Sequence, residues 1–293
     1  MMSAAIETTR SQSSSKPTNP VPRKPINWWQ IASYLILALF AVIYLGPLLM
    51  LVNTALKTLP EFMKNAVAPP TSIQFQNFID AWNKANFSKY LINSILYTVV
   101  ATLLYVFTAV FAAFPISRGY VKWAGFFLML FVIALFLQVA LIPQFQLILN
   151  LGLYNTQIGY ILLYLVNPIG IIILVNFIKT VPRELDEAAA LDGCGYFRFV
   201  VSIVFPLIKP AIATITVLHA IGIWNEIILP TIYLSNQNYY PITRGLIVFQ
   251  GVYGSNWPTL AAAVLLLALP MIILFLFLQR YIISGMTAGA VKG

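Results

Sequence analysis

Cysteine, histidine and acid are nearly missing from this 293-residue sequence, which has one Cys, one His and eight Asp plus Glu. The lone Cys194 excludes an internal disulfide and a cysteine-built metal cluster, and reads as a small packing residue. One histidine, His219, leaves the usual metal ligand sets out of reach, so His219 reads as a satisfied helix-packing residue rather than a ligand or proton carrier. No G-x-x-x-x-G-K-[ST] phosphate loop occurs, the glycines near the C-terminus having the wrong spacing, so the sequence offers no P-loop nucleotide site. No paired carboxylates within an apolar stretch suggest a protease or a glycosyl transferase. Charge as a whole is scarce, 9% of residues, against about 25% in a soluble domain. With 60% hydrophobic residues and a mean hydropathy of +0.86, the chain reads as an integral membrane protein of one multi-span domain. The net charge of +9 then belongs to cytoplasmic loops rather than to a nucleic-acid surface.

What is present is a series of long apolar stretches. Residues 1–27 are rich in Ser, Thr and Pro with no apolar run, and are expected to form a disordered cytoplasmic tail rather than a signal peptide. From Trp28 to Leu56 there is no charge, enough for span one, with Trp28 and Trp29 at the interface. An ordered loop with a short amphipathic helix around 75–84 follows. Span two is read as Tyr90 to Phe114, ended by Pro115. Between Lys122 and Lys179 lie residues 123–178 without charge, read as span three (123–142), a turn between Ile142 and Asn155, and span four (157–178) kinked at Asn167-Pro168. Span five runs from Lys209 to Leu229 with Pro210 in its first turn, a loop covers 230–258, and span six is Leu260 to Leu278. The expected fold is thus all-α with six transmembrane helices, a membrane domain over 28–284 and a C-terminal tail over 285–293.

Of the 17 Lys and Arg, only Lys57, Lys64, Lys84, Lys89 and Arg244 fall on one side if the termini share the other. The positive-inside rule therefore favours N-in and C-in, and puts the segment 179–209 in the cytoplasm. That segment holds four of the eight acids, Glu184, Asp186, Glu187 and Asp192. Pro182 suits a first helical turn, the acids complement its positive end, and Gly193 suits its stop, so residues 183–192 are expected to form a short capped helix. Ala188, Ala189 and Ala190 leave one flank without bulk. A second helical piece, Tyr196 to Val204, leads to Pro206. Such a helix-turn-helix serves either to dock on a cytosolic partner or only to connect two spans, and Glu187 alone is equally a first-turn helix charge.

Glu187-Ala188-Ala189, then Gly193, Ile203 and Phe205-Pro206, resembles the cytoplasmic EAA signature of the membrane subunits of binding-protein-dependent ABC importers. Phe205 stands where Leu is usual. Asn93-Ser94, Ile142-Pro143, Leu151-Gly152-Leu153, Asp192-Gly193, Trp224-Asn225-Glu226 with Pro230, and the ending Gly285 to Gly293 are similar to the carbohydrate permeases of the maltose-permease G type. The resemblance implies a prokaryotic cell-membrane subunit that pairs with a second, homologous permease. It further implies a sugar delivered by an extracytoplasmic binding protein and two copies of a cytosolic ATPase on which ATP and Mg act, with no cofactor on this chain. It assigns ATPase coupling to Glu184, Glu187, Ala188, Ala189, Asp192, Gly193, Ile203 and Pro206, and a tail contact to Gly289, Lys292 and Gly293.

Polar residues near the spans are candidates for the substrate path: Asn167, Trp224, Asn225 and Glu226, with Gln138 and Asn176 behind them. Glu226 is the one acid in or beside a span, where a charge costs at least about 2.5–3.5 kcal/mol at mid-bilayer. Trp224 and Asn225 have the ring and amide that suit a sugar, or the tripeptide simply holds the span end. A non-sugar solute, or a self-contained channel or secondary transporter, is the alternative; the latter calls for several intramembrane charges or matched broken helices.

Overall fold

The computed structural model describes residues 28–84, 86–137, 140–249 and 256–290, and among these the chain is helical throughout, with no strand. By compactness it divides into residues 1–48 and 49–293. The first unit carries most of α1 (Trp28–Ala55), a helix that is apolar on every side and therefore suited to lipid or to another apolar helix. In the second, the turn after α1 carries α2 (Leu59–Lys64) and α3 (Gln76–Lys84). Lys57 is buried there, and its Nζ donates to the Asn65 and Ala66 carbonyls at 3.0 and 2.8 Å. The long helix α4 (Phe87–Arg118) is the axis of the unit.

The faces of α4 are inverted relative to a soluble helix. Tyr97, Thr98, Ala101, Thr102 and Tyr105 point inward, whereas Ile92, Val99, Leu103 and Leu104 are exposed. Aliphatic side chains outside and hydroxyls inside suit a hydrocarbon solvent. Against α4 pack α5 (Ala124–Ala134), α7 (Gln157–Leu162) and α8 (Pro168–Ile178), and α6 (Leu141–Asn150) joins through Ile148 in a cluster with Tyr97 and Tyr160. Among the described residues, three helices are long and apolar enough to cross a membrane: Trp28–Ala55, Phe87–Arg118 and Trp257–Phe277. A fourth forms if Tyr196–Leu207 and Lys209–Asn225, bent by 85° at Ile208, count as one. The remaining elements are α9 (Glu184–Leu191), α10 (Tyr196–Phe199), a π-helical turn (Val200–Val204), α11 (Phe205–Leu207), α12 (Lys209–Asn225), α13 (Ile228–Tyr233), α14 (Ile242–Gly245) and α15 (Trp257–Ala290).

Several expected boundaries fall elsewhere, two of them at prolines. Span two does not end at Pro115: α4 continues through it to Arg118 and stops at Gly119, whose φ of +74° is left-handed. Proline has no N–H for the Phe111 carbonyl four residues back, and the Tyr196 hydroxyl donates to it instead at 2.8 Å. Span four is not one kinked helix but two, because Asn167 is extended (φ −132°, ψ 110°), as the residue before a proline tends to be. Asn167 caps α8 through its side chain, bonding Ile169 N–H at 3.1 Å. Here too the carbonyl left vacant by the proline, that of Tyr164, gains a foreign donor: His219 Nε2 at 2.9 Å. Since a carbonyl only accepts, Nε2 carries the proton and Nδ1 accepts from Thr102, 3.3 Å away. His219 also stacks on Tyr105 at 4.1 Å, which accounts for both nitrogens and one ring face.

Span three is interrupted too. α5 ends at Ala134, and Ile142 to Asn150, expected as a turn, lie in α6 with Pro143 in its first turn. The reversal comes later, at Gly152 (φ +68°) and Asn155 (φ +56°). Span five stops at Asn225, so Leu229 belongs to α13. The short helix at 76–84 and the apolar helix from Trp28 lie where expected.

Candidate functional site

The segment 179–209 sits at the C-terminal end of α4. Pro182 precedes α9, whose first turn holds Glu184, Asp186 and Glu187 near its positive end. Its stop is a Schellman motif: Cys194 N–H bonds the Ala189 carbonyl at 2.9 Å, Gly193 N–H bonds that of Ala190 at 3.1 Å, and Gly193 has φ +69°. Asp192 is the cap residue between.

The two faces of α9 differ. Ala189 is buried, and the Asp186 carboxylate meets Arg118 at 2.7 Å, the two side chains being 7% and 2% exposed. Tyr120 donates to the same carboxylate at 2.9 Å. Arg118 also donates to the carbonyl of Val181 at 3.0 Å, so one guanidinium clamps the lead-in to α9 and α9 itself. Partial burial and then the Asp186 carboxylate push the Tyr120 phenol pKa up. The other face, spaced i, i+3, i+4, i+7, presents Glu184, Glu187, Ala188 and Leu191 to solvent, Leu191 at 90% exposure. An acidic and small-residue stripe ending in a bare leucine is thus open to solvent, while the opposite face is held by an ion pair.

Beyond Gly193, α10 passes into the π-helical turn, where Phe205 N–H reaches five residues back to Val200. The wider turn accommodates Pro206, which cannot donate to Ser202. Ile203 and Phe205 pack on the core formed by Val110 and Phe114 of α4, Leu174 and Ile178 of α8, and Ala211 of α12. Pro206 is exposed. Movement of α9 is thus linked to α4 by an ion pair and to α8 and α12 by apolar packing.

Sequence reasoning singled out Glu184, Glu187, Ala188, Ala189, Asp192, Gly193, Ile203 and Pro206, and these lie together in this segment. It missed Arg118, Tyr120 and Tyr196, which come from other parts of the chain or act through a hydroxyl. An arginine closing a long apolar helix was the signal available for Arg118. Tyr196→Phe is expected to leave the Phe111 carbonyl without its donor and lower stability by about 1 kcal/mol. Thermal unfolding of the purified variant in detergent checks this; an unchanged midpoint would mean that the bond contributes nothing.

The path candidates do not form one cluster. Trp224 is buried among Phe87, Tyr90, Ile242 and Leu267, with Nε1 donating to the Leu267 carbonyl at 3.1 Å, so its ring offers no open face to a sugar in this conformation. Asn225 is exposed and bonds back to Ile221. Glu226 accepts from the N–H groups of Ile228 and Leu229 at 2.7 and 3.2 Å, fastening the start of α13. Asn167 lies elsewhere, on a cavity of about 170 Å³ that it shares with Tyr105, Gly170 and His219. Gly170 is required there, since a β-carbon would collide with the Tyr105 hydroxyl. Asn176 is exposed on α8. Gly289 falls within α15, while Gln138, Lys292 and Gly293 lie outside the described residues.

Comparison with known proteins bears on this arrangement. Residues 85–288 match the model of the family described as "Binding-protein-dependent transport system inner membrane component". The "Probable ABC transporter permease protein YurM" of Bacillus subtilis is 36% identical over 93% of this chain and 93% of its own. The melibiose/raffinose/stachyose import permease protein MelC of the same species is 33% identical over 88% and 95%. In fold, the chain is similar to a subunit of a bacterial ABC transporter involved in the import of the acidic polysaccharide alginate, with a TM-score of 0.79 at 22% identity over 90% of this chain and 100% of that one. This membrane protein belongs to the family of binding-protein-dependent transport system inner membrane components.

Proposed function

We infer that this chain is the membrane-spanning permease subunit of an ATP-driven sugar importer. The observation that carries the reading is α9: a capped helix whose acidic and small-residue face is open while its back is locked to α4 by Arg118–Asp186. A linker helix needs neither an open face of that chemistry nor a buried ion pair. The occupant proposed for it is a cosubunit ATPase, present twice, that binds ATP and Mg; closure of that dimer would move α9 and, through α4, α8 and α12, switch the path between inward and outward access. Coupling of this kind requires the ATPase to bind α9 with different free energy in the two states. A second, homologous permease would complete the path, and an extracytoplasmic binding protein would supply the sugar; the binding-protein dependence in the family description supports the latter.

Six crossings with both termini in the cytoplasm of a prokaryote, in its cell membrane, remain the topology proposed. α5 and α8 have 11 residues each, about 16 Å of rise against a core of about 30 Å. Their crossings would be completed by the apolar residues flanking each helix. Asn167, at its cavity beside Tyr105, is the residue of the four that we place on the path.

Sugar is favoured over other solutes by the relative whose name specifies melibiose, raffinose and stachyose and by the alginate transporter of similar fold. Co-expression with its neighbouring permease, ATPase and binding-protein genes should give a complex that imports a radiolabelled sugar into proteoliposomes only with internal ATP. A panel of raffinose, stachyose, maltotriose and cellotriose, with peptides and amino acids as comparators, tests the class. Uptake of a peptide or amino acid and of no sugar would overturn it.

A further inference from the structure

At the opposite end of α4 from α9 lie two cavities of about 550 and 440 Å³ that meet at Lys84. α4 has 32 residues, which separates the two ends by about 48 Å. Both volumes fall within the range of about 300–1,000 Å³ usual for small-molecule sites, and together they make a groove with more room than one sugar ring fills.

The groove is fixed in place by α4 itself. Asn93 Nδ2 donates to the carbonyls of Asn238 and Tyr240 at 2.8 and 3.0 Å, Tyr97 donates to that of Tyr239 at 2.8 Å, and Ile242 N–H donates to Ser94 at 2.8 Å. Four bonds from one helix face hold the 238–242 strip as the groove wall. Tyr240, partly exposed, lines it beside the buried Tyr90, the rings tilted and 6.1 Å apart, and the Arg244 guanidinium covers one face of Tyr240, 3.9 Å from its centroid. The carboxamides of Asn86 and Gln237 and the Thr231 hydroxyl stand in the same cavity, and those of Asn83 and Asn256 line the other, Asn256 Oδ1 also accepting from the N–H of the buried Thr259.

This lining selects a ligand chemistry. A carboxamide offers donors and an acceptor side by side, as a sugar diol does, whereas an anion site would carry uncommitted cations. Neither cation of the lining is free: Arg244 bonds the carbonyls of Pro230 and Leu234 and the Tyr240 hydroxyl, so its charge props the Tyr240 ring instead of meeting a ligand, and Lys84, where the cavities meet, has a partner of its own. Asp80 in the second cavity adds a carboxylate that disfavours an anionic guest. Carboxamides on both cavities and one partly exposed tyrosine, with the guanidinium spent, suit a neutral, hydroxyl-rich chain.

We propose that this groove is a binding site for a neutral oligosaccharide of at least two sugar residues, held on the outer face before it enters the path. The proposal rests on the sugar-importer reading and on its orientation. A site passed through in transit must hold its guest weakly, which fits a groove that is open to solvent.

The test uses the complete transporter in nanodiscs without its binding protein, with saturation-transfer NMR titration of raffinose, stachyose, maltotriose and cellotriose. Wild type should bind at least one of them in the millimolar range. Asn86→Gly with Gln237→Ala should weaken that binding about tenfold, since two neutral hydrogen bonds are removed. Glycine is chosen at Asn86 because its φ of +47° suits glycine and its side chain caps nothing. Basal ATP hydrolysis and the gel-filtration profile of the variant should match wild type, showing an intact complex. Unchanged sugar binding in the variant overturns the groove. A variant that keeps sugar binding but loses affinity for the binding protein also overturns it, making the surface a protein dock. The underlying reading fails separately, if wild type imports none of the sugars in the uptake assay.

Discussion

Asp186→Ala should abolish uptake and lower the stability of the protein by about 3–5 kcal/mol, because Arg118 is then left charged and buried without its partner. The magnitude follows from burial: with the side chains 2% and 7% exposed, neither charge can fall back on water as the ends of a surface pair do, for which the cost is about 0–1 kcal/mol. Arg118→Met with Asp186→Leu separates stability from coupling. Replacing both charges by apolar groups of similar size is often neutral for stability, so the double variant should unfold near the wild-type midpoint. Uptake should stay low, because the clamp that makes α9 follow α4 has gone along with the bonds from Arg118 to Val181 and Pro182. Thermal unfolding in detergent and ATP-driven uptake in proteoliposomes are the two readouts. Full uptake in the double variant would show that the pair only stabilises and transmits nothing.

The residues explain why some of the fold could be read in advance and some could not. Trp28–Ala55 and the inner part of Phe87–Arg118 are long, uncharged and uninterrupted, and in a hydrocarbon solvent such a stretch has almost no alternative to a helix. Errors gathered at prolines. Local rules say that Pro115 ends a helix and that Pro168 bends one, but what a proline does depends on who takes the carbonyl it leaves vacant. The Tyr196 hydroxyl, 81 positions away from Pro115 in sequence, takes that of Phe111, and α4 continues. His219 takes that of Tyr164, and the chain can afford to break into α7 and α8. Neither donor can be paired with its acceptor by spacing alone, since both bonds exist only once distant helices have packed.

The capped helix of the segment 179–209 was legible because its signals are local: Pro182, three acids in a first turn and Gly193 with left-handed φ all act within one short helix. Its anchoring was not, because Asp186 looks like any other first-turn acid until Arg118 is brought against it. The substrate-path candidates show the converse. Trp224, Asn225 and Glu226 are adjacent in sequence, yet they point into a core, back along their own helix and onto the start of α13.

Glu187→Lys should leave the fold nearly untouched and reduce uptake by at least tenfold. Glu187 is exposed on the open face of α9, so reversing its charge costs this chain only the favourable interaction with the helix N-terminus, about 0.3–1 kcal/mol. If α9 merely connected two spans, that small loss would be the whole effect and uptake would fall no further than stability does. If α9 is the seat of the ATPase, a reversed charge meets the same surface that accepts an acid, and like-charge contact at an interface costs several kcal/mol. Gly193→Val provides a second route to the same face: no side chain or backbone lies within 4 Å of the added β-carbon, so its effect within the chain is confined to a φ of +69° that a β-branched residue resists. Both variants should still be found in the membrane at normal levels, and both should lose the ATPase when the complex is purified by a tag on the permease. Glu187→Gln should keep part of the activity, since it retains the shape and one acceptor. Wild-type uptake and normal ATPase recovery in Glu187→Lys would reduce α9 to a linker, and with it the claim that the open face, not the buried one, receives the partner.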